Sequence, residues 1–264
     1  MSSNRLDQVL VLRGLCETRS LAQDAIAAGR VKVNQQIIQK NSYRVNESDA
    51  IQMESEAIAF ASRAGFKLYG AILDFHIDLT DRIVADIGAS TGGFSDVCLN
   101  AGAKLVYAID VGSDQLLPRL KNDARIRNLE HTNCRYLTKA LFEELPDFAC
   151  MDVSFISIKL ILPALAKVLK NEQEMVVLVK PQFEAGKADI GKHGIVKNKK
   201  VHERVLSEII SFVESLGLFV HHLDVSSITG RDGNQEYVMH IKNTPSHQVF
   251  NLKTICNKEV KQRW

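Results

Sequence analysis

Ile83-Val84-Ala85-Asp86-Ile87-Gly88-Ala89-Ser90-Thr91-Gly92-Gly93-Phe94-Ser95 decides how this chain folds: a β-branched run, a loop of tiny residues, and the start of an apolar-periodic segment. The pattern predicts strand, glycine loop and helix. Gly88 lets the chain turn sharply off the strand, and Gly92 and Gly93 keep Cβ atoms away from anything lying on the loop. The dinucleotide spacing G-x-G-x-x-G is not met, because Ser90 stands where a second glycine would admit a pyrophosphate. A nicotinamide cofactor is therefore disfavoured. Leu105 to Asp110 reads as a second strand, and the carboxylate of Asp110 at its C-terminus falls 22 residues after Gly88, placed to accept hydrogen bonds from a ribose diol. With Asp86 ahead of the loop, S-adenosylmethionine suits these residues better. The alternative is a tight strand-to-helix turn with no ligand, against which Asp110 weighs.

Outward from this stretch, strands and helices alternate. Helix is expected over 93–101, near 114–121, from Ile158 to Leu169 and over 199–216, and strand near 126–129, at 148–152 and at Met175 to Val179. The last strands are expected at Leu218–Val225 and Gln235–Ile241, with a long loop over 182–198. Alternation of this kind predicts an α/β fold with a mostly parallel, doubly wound sheet, whose ligands lie at the strand carboxyl ends. Ahead of it, residues 5–13 place apolar side chains at Leu6, Val9, Leu10 and Leu12 as on a helix face, and a second helix follows Ser20 as N-cap until Gly29. Short extended pieces follow at Arg30 to Asn34, Ile37-Ile38 and Ile51 to Met53. Arg13, Arg19, Arg30 and Lys32 cluster around these turns, as phosphate-positioning cations do.

The net charge of +2 divides unevenly: seven Lys/Arg face five Asp/Glu in residues 1–53, 22 face 25 in 54–242, and four face one in 243–264. Basic ends around an acidic middle point to an acidic partner held by appendages. Five cysteines with no C-x-x-C pair argue against a disulfide framework or a zinc site, and so for a reducing cytoplasm and no metal. No 18-residue apolar run is present, which leaves neither a membrane span nor a signal peptide in the sequence.

Three ionisable residues fall at or near strand ends on the expected carboxyl edge: Asp152, Lys180 and Glu236. Lys67 enters from a helix before the first strand. Each has a plain reading as helix cap, surface acid or solvated cation. Lys180 is hardest to dismiss, since it directly follows Val176-Val177-Leu178-Val179 and is locked by Pro181.

The first 53 residues resemble the S4 RNA-binding module in Arg5-Leu6-Asp7, Arg19-Ser20, Gly29-Arg30-Val31-Lys32-Val33-Asn34 and Asp49-Ala50-Ile51, with Gln35 where that module usually has glycine. Arg5, Arg13, Arg19, Arg30 and Lys32 are then its expected RNA-binding cations. Lys67, Asp152, Lys180 and Glu236 match in order and context the Lys-Asp-Lys-Glu tetrad of the FtsJ-like RNA 2′-O-methyltransferases. With Asp86 to Phe94, Asp152-Val153-Ser154-Phe155, Lys180-Pro181-Gln182-Phe183 and Gly233-Asn234-Gln235-Glu236, the chain resembles the TlyA (hemolysin A) family. That resemblance implies an S4-type α+β domain over 1–53, a linker over 54–63, a Rossmann-like methyltransferase domain over 64–242 and a basic tail over 243–264. It also implies cytidine 2′-O-methylation of ribosomal RNA, with ribosomal RNA or subunits as partner. S-adenosylmethionine would be held by Asp86, Gly88, Ser90, Gly92, Gly93, Phe94 and Asp110. Lys180 is then the expected base or hydroxyl-orienting group, Asp152 and Glu236 its positioning partners, and Lys67 a cation setting the local field. Three other readings compete: a pseudouridine synthase would leave the glycine loop idle, a membrane-lytic protein lacks a segment long enough to build a pore, and a cofactor-binding RNA protein without turnover would not need Lys180 and Asp152.

Overall fold

The computed structural model describes residues 4–53, 60–230 and 232–260. The chain separates into two compact units, Met1–Arg63 and Ala64–Trp264. The expected linker over 54–63 falls mostly outside the described residues.

In the first unit, β1 (Asn4–Arg5) pairs with β4 (Arg44–Val45), and β2 (Val31–Val33) lies between β3 (Gln36–Ile37) and β5 (Ile51–Met53). Helices α1 (Leu6–Leu12) and α2 (Arg19–Ala27) cover a small core of Leu6, Leu10, Ala22, Ile26 and Val31. Two expectations change. Leu12 is 78% exposed and leaves the buried face of α1 to Leu6, Val9 and Leu10. The N-cap of α2 is Thr18 rather than Ser20, its hydroxyl accepting from Leu21 N at 3.2 Å. The ribbon turns without glycine because Asn34 and Gln35 both take positive φ, 48° and 71°, a strained pair for a hairpin. The Asn34 side chain offsets that strain by donating to Asp49 Oδ1 at 2.9 Å and accepting from Ala50 N at 3.0 Å.

The second unit is built on a seven-stranded sheet. Its strands are β6 (Ile83–Ile87), β7 (Leu105–Ile109), β8 (Ile126–Leu129), β9 (Phe148–Met151), β10 (Glu174–Val179), β11 (Phe219–Val225) and β12 (Tyr237–Lys242), in the order β11-β12-β10-β9-β6-β7-β8. Only β12 runs against its neighbours. Every residue of β6, β9 and β10 is buried, as continuous apolar strands covered on both faces must be. The connecting helices are α3 (Gly65–Phe75), α4 (Gly93–Asn100), α5 (Pro118–Lys121), α6 (Leu162–Val168), α7 (Pro181–Glu184), α8 (Lys199–Ser215) and α9 (Leu252–Cys256).

The expected 182–198 loop instead opens with α7 and carries two 3₁₀ turns, at Lys187–Asp189 and Lys192–Gly194. The described part of the basic tail also has fixed structure. Ile255 and Cys256 are buried beside α8 and β11, and Lys258 Nζ pairs with Asp224 at 2.7 Å. Among the described residues no helix is long and apolar enough to cross a membrane, and no three metal-ligating side chains converge.

Candidate active site

The carboxyl edge of the sheet gathers residues far apart in sequence because neighbouring parallel strands end in register. Asp152 follows β9, Lys180 follows β10, and Glu236 immediately precedes the reversed strand β12, whose Tyr237 pairs with Val179. Lys67 comes from the first turn of α3. Lys67 Nζ lies 2.6 Å from Glu236 Oε2 and 3.4 Å from Asp152 Oδ2, and Lys180 Nζ lies 2.6 Å from Asp152 Oδ1. The four residues predicted from the sequence therefore form one connected ion network, with every side chain at most 10% exposed.

Burial alone would discharge Lys67 and Asp152, and pairing reverses it. Desolvation drives the Lys67 pKa down, yet Asp152 and Glu236 outweigh it and hold the ammonium above its ordinary value. Desolvation drives Asp152 up, and the two lysines outweigh it and hold the carboxylate below its usual range. The result is a dry, charged cluster with fixed dipoles, the arrangement that stabilises charge developing in a transition state.

Around it stand residues that the sequence did not single out. Lys180 Nζ also donates to Ser154 Oγ at 3.1 Å and lies 5.9 Å from the centre of the Phe183 ring. Phe155 is 90% exposed, has φ 62°, and tilts against Phe183 at 5.0 Å between ring centres. A bulky residue in the left-handed region with its ring in solvent is costly. The turn α7 is tied on both sides. Glu184 accepts from Ser157 Oγ at 2.6 Å and Ile158 N at 2.8 Å, while Gln182 Nε2 donates to Glu236 Oε1 at 3.1 Å.

Next to Asp152, at the end of the adjacent strand β6, lies the glycine loop. Gly88 has φ +83°, and a Cβ there would stand 2.8 Å from the Asp152 carbonyl oxygen. Gly92 has φ +94°, and its Cβ would meet Leu116 and Leu120. Both glycines thus leave the Cβ space to neighbouring protein atoms. Gly93 opens α4 and is buried. Phe94 is 2% exposed, its ring packed inward beneath the loop. Ser90 (φ 48°) donates its N–H to Asp110 Oδ2 at 2.9 Å, and Gly112 N donates to Asp110 Oδ1 at 2.7 Å. Asp110 thus ties the loop to the end of β7. Asp86 is 1% exposed; its Oδ2 accepts from Ser95 Oγ at 2.7 Å, while its Oδ1 has no hydrogen-bond partner. Burial pushes this carboxyl up to about 7. An orphaned buried acceptor beside a loop of small residues fits a ligand with a cationic donor, which S-adenosylmethionine carries as its ammonium.

The expected RNA-binding cations are partly engaged by their own unit. Asp7 is fully buried and takes both Arg5 nitrogens at 3.0 Å, Arg19 Nε at 2.9 Å and Gln23 Nε2 at 2.9 Å. Arg13 donates to the carbonyls of Asp49 and Glu47 at 3.0 Å. Arg19 is half exposed. Arg30 is partly buried at the end of α2, and Lys32 lies mid-strand in β2.

Comparison with known proteins follows the same division. A family model described as FtsJ-like methyltransferase matches residues 60–243, and one described as S4 domain matches residues 4–51. Bacillus subtilis YqxC is 41% identical, covering 98% of this chain and 96% of its own. The Mycobacterium tuberculosis 16S/23S rRNA (cytidine-2′-O)-methyltransferase TlyA is 37% identical over 90% of this chain and 89% of its own. A solved Streptococcus thermophilus structure bearing a hemolysin label superposes with a TM-score of 0.78 at 43% identity, over 97% of this chain and 95% of that one.

Proposed function

Because this chain belongs to the FtsJ-like methyltransferase family and carries an S4 domain ahead of that unit, we propose that it methylates a cytidine ribose 2′-hydroxyl of ribosomal RNA from S-adenosylmethionine. The observation that carries the reading is the closed Lys67–Glu236, Lys67–Asp152 and Lys180–Asp152 network at the carboxyl edge. Bound at the glycine loop, the cofactor supplies an electrophilic methyl group. Asp86 offers its orphaned oxygen to the ammonium, and Asp110 stands at the end of β7 where a ribose diol is held in doubly wound sheets.

A ribose hydroxyl is a weak nucleophile and must lose its proton as it attacks, so alignment and a proton acceptor are what the protein contributes. In the reacting state Lys180 is the free amine: held in place by Asp152 and Ser154, it aligns the hydroxyl and takes its proton, becoming the ammonium that pairs with Asp152 in the resting network. Lys67 is one cation between two carboxylates, which leaves a unit of negative charge to hold the proton that reaches Lys180. Phe155 and Phe183 offer a stacking platform for the unpaired base, as single-stranded RNA readers do. The half-exposed cations of the N-terminal unit position the phosphate backbone.

The test is incubation with labelled S-adenosylmethionine and ribosomal subunits from a strain lacking the protein, followed by mapping of the label. A 2′-O-methylcytidine is the expected product. Label on a base, or none, overturns the reading.

A further inference from the structure

Gln182 has half a hydrogen-bonding role in the unliganded chain. Its Nε2 donates to Glu236 Oε1 at 3.1 Å, while its Oε1 is buried without a hydrogen-bond partner. The orientation of the amide is fixed by chemistry: an ionised carboxylate can only accept, so nitrogen must face Glu236 and oxygen must face away. Glu236 is anchored by its other oxygen, which pairs with Lys67 at 2.6 Å, and its Oε1 occupies the space that a Cβ on Gly230 would need. Gln182 thus presents a buried acceptor with no hydrogen-bond partner among the described residues. A buried acceptor left unmade is destabilising, and that cost is recovered when a donor arrives.

The row of strand ends shows where the donor comes from. Across the edge, Glu236 belongs to β12, Lys180 to β10, Asp152 to β9, the glycine loop to β6 and Asp110 to β7. Gln182, bonded to Glu236, stands at the end of this row farthest from the glycine loop, the side that in-line attack on a methyl group held at the loop leaves to the nucleotide. The 2′-hydroxyl carries a single hydrogen, which the reaction commits to Lys180. The remaining donor that marks a cytidine is its exocyclic 4-amino group.

We propose that Gln182 reads the target base, its Oε1 accepting a hydrogen bond from the cytosine 4-amine while Glu236 prevents the amide from flipping to suit uracil. The assignment rests on the methyl-transfer reading above. It makes one tetrad carboxylate serve twice, positioning Lys67 with one oxygen and fixing base identity with the other. Sites built to pair a substrate NH reject the analogue lacking it far more strongly than apolar pockets do.

The experiment uses the full chain and two RNA substrates identical except at the mapped target: cytidine, or the pyrimidin-2-one nucleoside that lacks the 4-amine. Wild-type kcat/KM should fall about ten- to a hundredfold on removing the amine, as expected for an acceptor left unpaired. Gln182→Met keeps length without the acceptor; it should lower the cytidine value by a similar factor and leave the pyrimidinone value within about twofold. Unchanged S-adenosylmethionine affinity reports that the variant is folded. Equal losses on both RNAs would place Gln182 in support of the tetrad alone and overturn the proposal. Should the variant misfold, the wild-type arm still decides, since equal wild-type rates on the two RNAs also overturn it. If the wild type methylates neither RNA, the methyl-transfer reading itself has failed.

Discussion

Two aspartates, Asp7 in the N-terminal unit and Asp86 beneath the glycine loop, are equally hidden from water and meet opposite fates. Asp7 receives two donors from Arg5, one from Arg19 and one from Gln23, and is held far below the usual carboxylate range, first through its Arg5 hydrogen bonds. Asp86 receives one hydroxyl, keeps an orphaned oxygen, and is driven up to about 7 by burial. Burial sets the stakes, and the donors decide the outcome. The filled carboxylate is a staple of its fold, whereas the half-filled one waits for a ligand. Asp152 extends the series: its side chain only 10% exposed, it is kept ionised by two lysines that are themselves buried.

The largest expected effect tests that third member. Lys180→Ala and Asp152→Ala should each lower turnover about 10²- to 10⁴-fold while cofactor affinity holds, since the interactions lost matter most in the transition state. Because the network acts as a unit, the double variant should be hardly slower than either single one. Additive losses in single-turnover assays would mean that Asp152 and Lys180 work separately.

Asp7→Ala should come next, destabilising the N-terminal unit by about 1–3 kcal/mol in urea titration. The sign with pH follows from the depressed folded pKa: the carboxylate's contribution is complete above its unfolded value near 3.9 and is lost as pH falls below it. Asp7→Asn should therefore flatten the acid limb of the stability curve below about pH 5. Equal limbs in wild type and variant would make the cage irrelevant.

Asp86 predicts the opposite slope. Its folded pKa lies above the unfolded one, so the protonated form favours the folded state, and that contribution is lost as pH rises from about 4 to about 7. Asp86→Asn should remove this loss, raising cofactor-free stability at pH 8 by about 1–2 kcal/mol. It should also weaken S-adenosylmethionine binding in calorimetry. A variant that is neither more stable nor weaker in binding would break the contrast with Asp7.

How much of this was legible in the sequence depends on the range of the signal. The β6 loop, the parallel strands and the positions of Lys67, Asp152, Lys180 and Glu236 were readable because hydrophobic periodicity and strand-end chemistry are local, and the TlyA resemblance gave the four their common role. The cage of Asp7 was not, since Arg19 and Gln23 reach it from another helix, and a count of cations treats Arg5 and Arg19 as surface charge. The burial of the Phe94 ring was hidden for the same reason: adjacency to a glycine loop says nothing about which side of it a ring occupies. Phe155 and Gln182 lay inside quoted motifs, yet only backbone φ and an unmet acceptor set them apart.

The smallest predicted effect concerns what the Asp7 cage presents outward. Arg19 is held at Nε by Asp7 and remains half exposed, so the buried carboxylate fixes the direction of a cation that still faces solvent. Counterion release then gives a measurable quantity: each phosphate contact adds about 0.7 to 0.9 to the slope of log affinity against log salt. Arg19→Ala should lower that slope by one such contact with ribosomal RNA and leave cofactor binding alone. Asp7→Asn should keep the slope, because the cation survives, but weaken binding uniformly, because its direction is no longer set. If Asp7→Asn lowers the slope as much as Arg19→Ala does, the carboxylate acts through the fold of the unit as a whole. If neither variant moves it, Arg19 belongs with the structural arginines, and the phosphate contacts of the N-terminal unit lie elsewhere on its surface.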